Sequence, residues 1–164
     1  MPSIIRNELR KIVLDVLGSI TKPAKGIHIL NGHMIAKADP QIEVFLSQLK
    51  QLKQFSTFIN IDEAVNLIIS HKVVDDVLLA FTFDDGFEEC ATMIAPALEQ
   101  FGIHGAFFIN PNFVDGDGQY IKDFTEHTLN SPAKLPMRWN DILELSNKGH
   151  IIGAHTMDHS MINN

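Results

Sequence analysis

The chain has 164 residues, of which 45% are hydrophobic and 20% are charged, which is typical of a soluble globular protein and long enough for one domain with a sizeable core. Its formal net charge of -7 at pH 7 argues against nucleic acid or an anionic membrane surface as a partner. Cys90 is the single cysteine, so no intrachain disulfide can form. Because charges are scattered through residues 1–11 and no apolar stretch has the length of a membrane span, the sequence predicts a cytoplasmic protein without a transmembrane segment.

Residues 3–17 are predicted to form an amphipathic helix, because apolar residues recur there at helical spacing. This helix and the linker after it make up residues 1–25. The remainder, residues 26–164, is predicted to be one α/β domain.

The order of predicted elements in the first part of that domain is typical of a parallel sheet. Strands are expected at residues 27–30, 55–59, 78–83 and 105–110. Asp39-Pro40 predicts the start of a first helix, and Asn60 or Asp62 the start of a second. Pro96 is expected to kink or restart the helix within the βαβ unit of residues 78–110.

The apolar run at residues 78–83 is followed by Asp84, Asp85 and Gly86. Such a run suits a strand that is buried on both faces of a parallel sheet. Ligands bind at the carboxyl ends of strands in such sheets, so both aspartates are candidate functional residues. Taken alone, the stretch also fits a turn in which Asp-Asp-Gly closes a strand.

Residues 111–138 lack clear periodicity and predict a polar loop beside the carboxyl edge of the sheet. Asp115-Gly116-Asp117-Gly118 looks like the start of a calcium loop, but Tyr120 stands where that loop needs glycine, so calcium is rejected. A helix at 140–148, capped by Gly149, and a strand at 151–154 are expected next.

That last strand leads into His155 and His159. On a helical turn, a spacing of four places two imidazoles on one side, where they can hold one metal ion. Asp85 comes from another strand end and completes a set of two histidines and one carboxylate, which leaves coordination positions open. Asp84 points elsewhere and is a candidate base for a metal-bound water. Taken alone, the two histidines could be unrelated surface residues. His33 is the other histidine that a strand could bring to this edge of the sheet.

Two motifs carry a resemblance to a known family. Thr82-Phe83-Asp84-Asp85-Gly86 and His155-Thr156-Met157-Asp158-His159 together resemble the polysaccharide deacetylase family, the NodB-homology carbohydrate esterases. The resemblance extends from about residue 73 onward. It implies metal-dependent hydrolysis of an N-acetyl or O-acetyl group on a sugar or polysaccharide precursor. Asp84 would be the general base, and Asp85, His155 and His159 would bind a divalent metal, most often zinc.

The resemblance also implies an α/β fold, an incomplete (β/α) barrel of the polysaccharide deacetylase type with an N-terminal helical extension. Phe87 stands where the family usually has proline. The family's later motifs, including an arginine near the base and a histidine that serves as general acid, follow the histidine pair, whereas this sequence ends at Asn164. The domain is therefore expected to be truncated at its C-terminal side, inactive on its own, and prone to self-association through an open sheet edge.

Two other interpretations stay open. The first is a non-catalytic sugar-binding or assembly module that retains the metal site. The second is another metal-dependent hydrolase, or an iron oxygenase that uses the same arrangement of two histidines and one carboxylate.

Overall fold

A computed structural model describes residues 23–36, 39–131 and 134–160, so the predicted helix at 3–17 lies outside the described residues. Strands are β1 (Gly26–Gly32), β2 (Thr57–Phe58), β3 (Val77–Phe83), β4 (Ala106–Ile109) and β5 (Ile151–Ala154). Helices are α1 (Ile42–Lys53), α2 (Ile61–Ile69), α3 (Ala95–Glu99), α4 (Pro111–Asp115), α5 (Gly118–Asp123) and α6 (Trp139–Asn147). Two π-helical turns span Cys90–Ile94 and Phe124–Thr128.

The strands form one parallel sheet centred on β3. β1 pairs with β3 along its whole length, β2 pairs with the start of β3, and β4 pairs with its end. β5 pairs with β4 along four residues. Because every pairing is parallel, β1, β3, β4 and β5 all present their carboxyl ends at one edge of the sheet.

β3 is buried because the core lies on both of its faces. Side chains alternate along a strand, so Leu79, Phe81 and Phe83 pack into the larger apolar cluster and Ala80 into the smaller one. The ring of Phe83 stacks on that of Phe107 in β4, with 5.5 Å between centroids. Burial of each such ring contributes about 1.5–3 kcal/mol, which fixes β3 and β4 in register.

Most predicted elements are confirmed, and one helix start is wrong. The strands expected around 27–30, 78–83, 105–110 and 151–154 all form. The restart at Pro96 is also confirmed, because the first π-helical turn ends at Ile94 and α3 begins at Ala95. Asp39, however, has a φ of 45° and does not cap a helix, and α1 begins only after Gln41.

The polar loop predicted for residues 111–138 is wrong, since this segment contains α4, α5 and the second π-helical turn. It folds because Phe113 and Phe124 are buried against each other, with ring centroids 5.0 Å apart. The two aspartates of the rejected calcium loop have structural partners. Asp117 caps α5 by accepting from the Tyr120 N–H at 2.8 Å, and Asp115 accepts from the Trp139 indole N–H at 2.6 Å.

Among the helices of the described residues, none combines the length and apolar character that crossing a membrane requires.

Candidate metal centre

Asp85 is held at the carboxyl end of β3 by a tight turn. Asp85 and Gly86 have φ values of 72° and 73°, both in the left-handed region. Glycine is required at the second position, because a Cβ there would lie 3.0 Å from the Cγ2 atom of Ile109. The Gly86 carbonyl accepts from the Met137 N–H at 2.9 Å, which fixes the turn and leaves Asp85 only 3% exposed.

The two histidines follow β5 in a turn that is not helical. The His155 N–H donates to the Ile109 carbonyl at 2.8 Å, so this residue still pairs with the end of β4. Thr156 and His159 then adopt φ values of 60° and 59°, which turn the chain back on itself. The prediction of a helical turn is therefore wrong, although the two imidazoles do come together, with ring centroids 5.0 Å apart.

Asp85, His155 and His159 come together with one ligand atom each. The Asp85 Oδ1 atom lies 3.7 Å from the Nε2 atom of His155 and 3.6 Å from that of His159. Ligands bound to zinc at about 2.0–2.2 Å in tetrahedral geometry lie roughly 3.3–3.6 Å from one another. Among the described residues, this buried Oδ1 atom has no hydrogen-bond partner. The donor set and its spacing therefore fit a divalent metal.

The site is deep on one side and open on the other. The Asp85 side chain is 4% exposed, whereas those of His155 and His159 are about one third exposed. Burial raises the pKa of the Asp85 carboxyl. The charges of His33, His159 and His155, in decreasing order, oppose that rise, and Asp84 adds to it. A cation at this position would compensate the buried carboxylate.

Asp84 lies beside the three candidate ligands but has different partners. Its main-chain N–H donates to the Gly32 carbonyl at 2.9 Å, and its Oδ2 atom accepts from the Asn31 side-chain amide at 3.1 Å. The structure therefore separates the two adjacent aspartates, with Asp85 facing the histidines and Asp84 hydrogen-bonded to β1.

Sequence reasoning missed two asparagines at the site. Asn31 lies near the end of β1 and contacts Asp84, and Asn110 directly follows β4 and holds the histidine turn. Their positions in the sequence could have identified them, because both are polar residues at strand ends on the same edge of the sheet as Asp84 and His155. His33, which follows β1, is also near enough for its charge to act on Asp85, as its place after the first predicted strand suggested.

His150, by contrast, is a core histidine at the opposite end of β5. It is buried, accepts from the Gly105 N–H at 3.2 Å through Nδ1, and lies 3.2 Å from a carboxylate oxygen of Glu99 through Nε2. Burial lowers the pKa of this imidazole, while Glu99 opposes the shift.

Several solved structures share this fold. IcaB from Ammonifex degensii aligns with a TM-score of 0.66 and 22% identity, over 82% of this chain and 55% of that one. A de-N-acetylase from Aggregatibacter actinomycetemcomitans aligns with a TM-score of 0.58 and 17% identity, over 80% of this chain and 55% of that one. The BpsB deacetylase domain from Bordetella bronchiseptica aligns with a TM-score of 0.56 and 18% identity, over 84% of this chain and 58% of that one. This chain thus spans less than two thirds of each of these structures.

Likeness at such identities shows a shared fold, and the open parallel sheet is an incomplete (β/α) barrel of the type found in those structures. Among curated proteins, none matches the chain. Residues 71–164, which are more than half of the chain and include both site motifs, match the model of the polysaccharide deacetylase family. The chain therefore belongs to the polysaccharide deacetylase family.

Proposed function

We propose that the protein is a metal-dependent hydrolase that removes the acetyl group from an N-acetylated sugar of a polysaccharide. The observation that carries the proposal is the buried Oδ1 atom of Asp85, which has no hydrogen-bond partner in the described part of the chain and faces two imidazole nitrogens beside a second carboxylate. Family membership and the name of one structural neighbour, a deacetylase domain, support deacetylation, and the name of another, a de-N-acetylase, supports the N-acetyl linkage.

Asp85, His155 and His159 would hold the metal, and their one oxygen and two nitrogen donors suit zinc. When bound, zinc would polarise the acetyl carbonyl and make a water molecule more acidic. Since both histidines are partly exposed, the open side of the site leaves room for substrate.

Asp84 is the proposed general base. A base must lie within hydrogen-bond reach of the proton that it removes, and Asp84 directly precedes the buried Asp85 at the same strand end. It lies outside the three-residue cluster and is half-buried, so its carboxylate is not needed as a metal ligand and is partly accessible to solvent. It would accept a proton from the attacking water.

His33 is the proposed proton donor to the leaving amine. The family resemblance implies an acid histidine located after the histidine pair, but His33 follows β1 at the same edge of the sheet. Its charge, like those of the two histidines of the pair, opposes the rise in the pKa of the Asp85 carboxyl, which supports its proximity to the site. With Asp84 on one side, it would give the site both a base and an acid, so this chain would be active on its own, contrary to the expectation from the sequence.

Acetate release from N-acetylglucosamine oligomers by the zinc-loaded protein tests the proposal. Asp84→Asn should retain the zinc and lose acetate release by roughly 10²–10⁴-fold, the usual contribution of a general base. Asp75→Asn, an exposed aspartate at the opposite end of β3, is the matched control and should behave as wild type.

Loss of zinc together with activity in Asp84→Asn would show that the roles of the two aspartates are reversed. Oligomer binding without acetate release by the wild-type protein would instead favour the alternative, a sugar-binding module that retains the metal site.

A further inference from the structure

We propose that Asn31 is a positioning residue for the reaction, which fixes the orientation of the Asp84 carboxylate through a hydrogen bond from the neighbouring strand. The inference rests on the proposed function, in which Asp84 is the base. It concerns a residue of β1, outside the two motifs that carry the family resemblance.

The pairing of β1 with β3 creates this contact. In the parallel register Asn31 lies opposite Thr82, one residue before the last pair, Gly32 and Phe83. Thr82 and Asp84 are two residues apart along extended chain, so their side chains point to the same side of the sheet. The Asn31 side chain therefore lies against both of them.

A primary amide nitrogen carries two hydrogens, and here each has an acceptor. The Nδ2 atom of Asn31 donates to the Thr82 Oγ1 atom at 3.1 Å and to the Asp84 Oδ2 atom at 3.1 Å. The hydroxyl of Thr82, a buried residue, thereby fixes the amide, and the amide in turn fixes the carboxylate. Since Oδ2 is engaged, the carboxylate is oriented with its other oxygen available to accept a proton.

Orientation matters because general-base catalysis depends on the position of the accepting oxygen. A displacement of about 1 Å at a reacting group can reduce a rate by roughly 10²-fold. The Asp84 N–H, which donates to Gly32, holds only the main chain. Among the described residues, Asn31 provides the side-chain hydrogen bond to this carboxylate.

Near-isosteric variants separate positioning from simple packing. Asn31→Asp keeps the shape but replaces the amide donor with a carboxylate that repels Asp84, so kcat for acetate release should fall at least as far as in Asn31→Ala, by roughly 10- to 100-fold. KM and zinc content should stay within about twofold of wild type, because neither ligands nor substrate contacts change. If Asn31 only fills space, Asn31→Asp should retain the wild-type kcat, and that result would overturn the inference.

The anchor of the amide provides a second, matched pair of variants. Thr82→Val removes the hydroxyl with little change of volume and should lower kcat by several-fold, whereas Thr82→Ser keeps an acceptor and should retain most of it. Equal kcat values for the two Thr82 variants would contradict the arrangement proposed here.

A measurement that does not depend on turnover keeps this inference separable from the proposed function. In ¹⁵N NMR spectra, the side-chain amide signals of Asn31 should shift in Asp84→Ala and stay in place in Asp75→Ala. Wild-type protein that releases no acetate would refute the proposed function. If the chemical shifts of the Asn31 amide do not change in Asp84→Ala, the positioning role is refuted, whether or not the protein is active.

Discussion

The side-chain amide of Asn110 donates a hydrogen bond to the main-chain carbonyl of His155. The same nitrogen donates to the Thr156 carbonyl at 3.3 Å. Asn110 is fully buried and directly follows β4, whereas both carbonyl groups belong to the turn that follows β5. A residue from one strand end thus sets the main-chain path of the two histidines on the next, and the candidate metal centre depends on a side chain that contacts their main chain.

Asn110→Ala should weaken both the fold and the metal site. Two hydrogen bonds from a buried donor to the histidine turn would be lost, so the free energy of unfolding should fall by roughly 1–3 kcal/mol. Zinc affinity should fall by about 10- to 100-fold, as is usual when a residue that orients ligands is removed. Urea unfolding and competition with a chelator measure the two effects.

The control for this substitution is Asn112→Ala, an exposed residue that contacts the histidine turn through its main chain, with its N–H donating to the Met157 carbonyl at 3.0 Å. It should change neither quantity. An Asn110→Ala protein with the zinc affinity of wild type would show that the turn keeps its shape without the amide.

The double substitution His155→Ala and His159→Ala should abolish stoichiometric zinc in the purified protein. Of the three proposed ligands, the Asp85 carboxylate alone would remain, and a single ligand binds zinc too weakly to keep it during dialysis. Elemental analysis after dialysis measures the metal content. His127→Ala, which changes an exposed histidine on the second π-helical turn, should retain one zinc per chain. Full zinc content in the double variant would place the metal elsewhere.

A buried ion pair offers a prediction about stability. Lys134 and Glu89 are both more than nine-tenths buried and in contact, and Glu89 also accepts from the Ile35 N–H at 2.6 Å. Lys134→Met would leave the Glu89 charge buried without a cation, which typically costs about 3–5 kcal/mol of unfolding free energy. Urea denaturation should show this loss, and the double variant with Glu89→Gln should recover part of it.

Lys148→Met is the matched control for the buried pair. Lys148 is 40% exposed and lies 2.9 Å from Glu144, so water screens the pair and its removal should change the free energy of unfolding little. Equal losses in the Lys134 and Lys148 variants would mean that the Lys134–Glu89 pair is hydrated and contributes no more than a surface pair.

The sequence predicted the strand ends that carry the site, because the patterns there are local. The apolar run of β3 is followed at once by Asp84 and Asp85, and β5 by His155. The Asn31 contact could not be read in the same way, since it depends on the register between β1 and β3. The turn at Thr156 and His159 was missed because two non-glycine residues adopt positive φ there, held by tertiary contacts that no local propensity reports. The cytoplasmic location stays a prediction.

The last prediction concerns the edge that β5 forms, opposite the edge strand β1. Among the described residues, β5 pairs with β4 alone. The N–H groups of Ile151 and His155 donate to carbonyl oxygens on the β4 side. Because hydrogen-bonding direction alternates along a strand, the N–H of Ile152 points toward the open edge. Unpaired groups of this kind are a template for another strand, and the exposed side chain of Ile151 adds apolar surface.

We therefore expect the isolated 164-residue protein to self-associate with increasing concentration, with the contact at β5. Ile151→Lys should raise the dissociation constant roughly tenfold or more, because a charged residue on an edge strand opposes strand addition. Leu143→Lys makes the same change at an exposed residue of α6 and should leave association unaffected, since it does not alter the strand edge. Sedimentation velocity over a range of concentrations measures both. A wild-type protein that stays monomeric throughout, or equal weakening by the two variants, would show that the edge of β5 is not the contact.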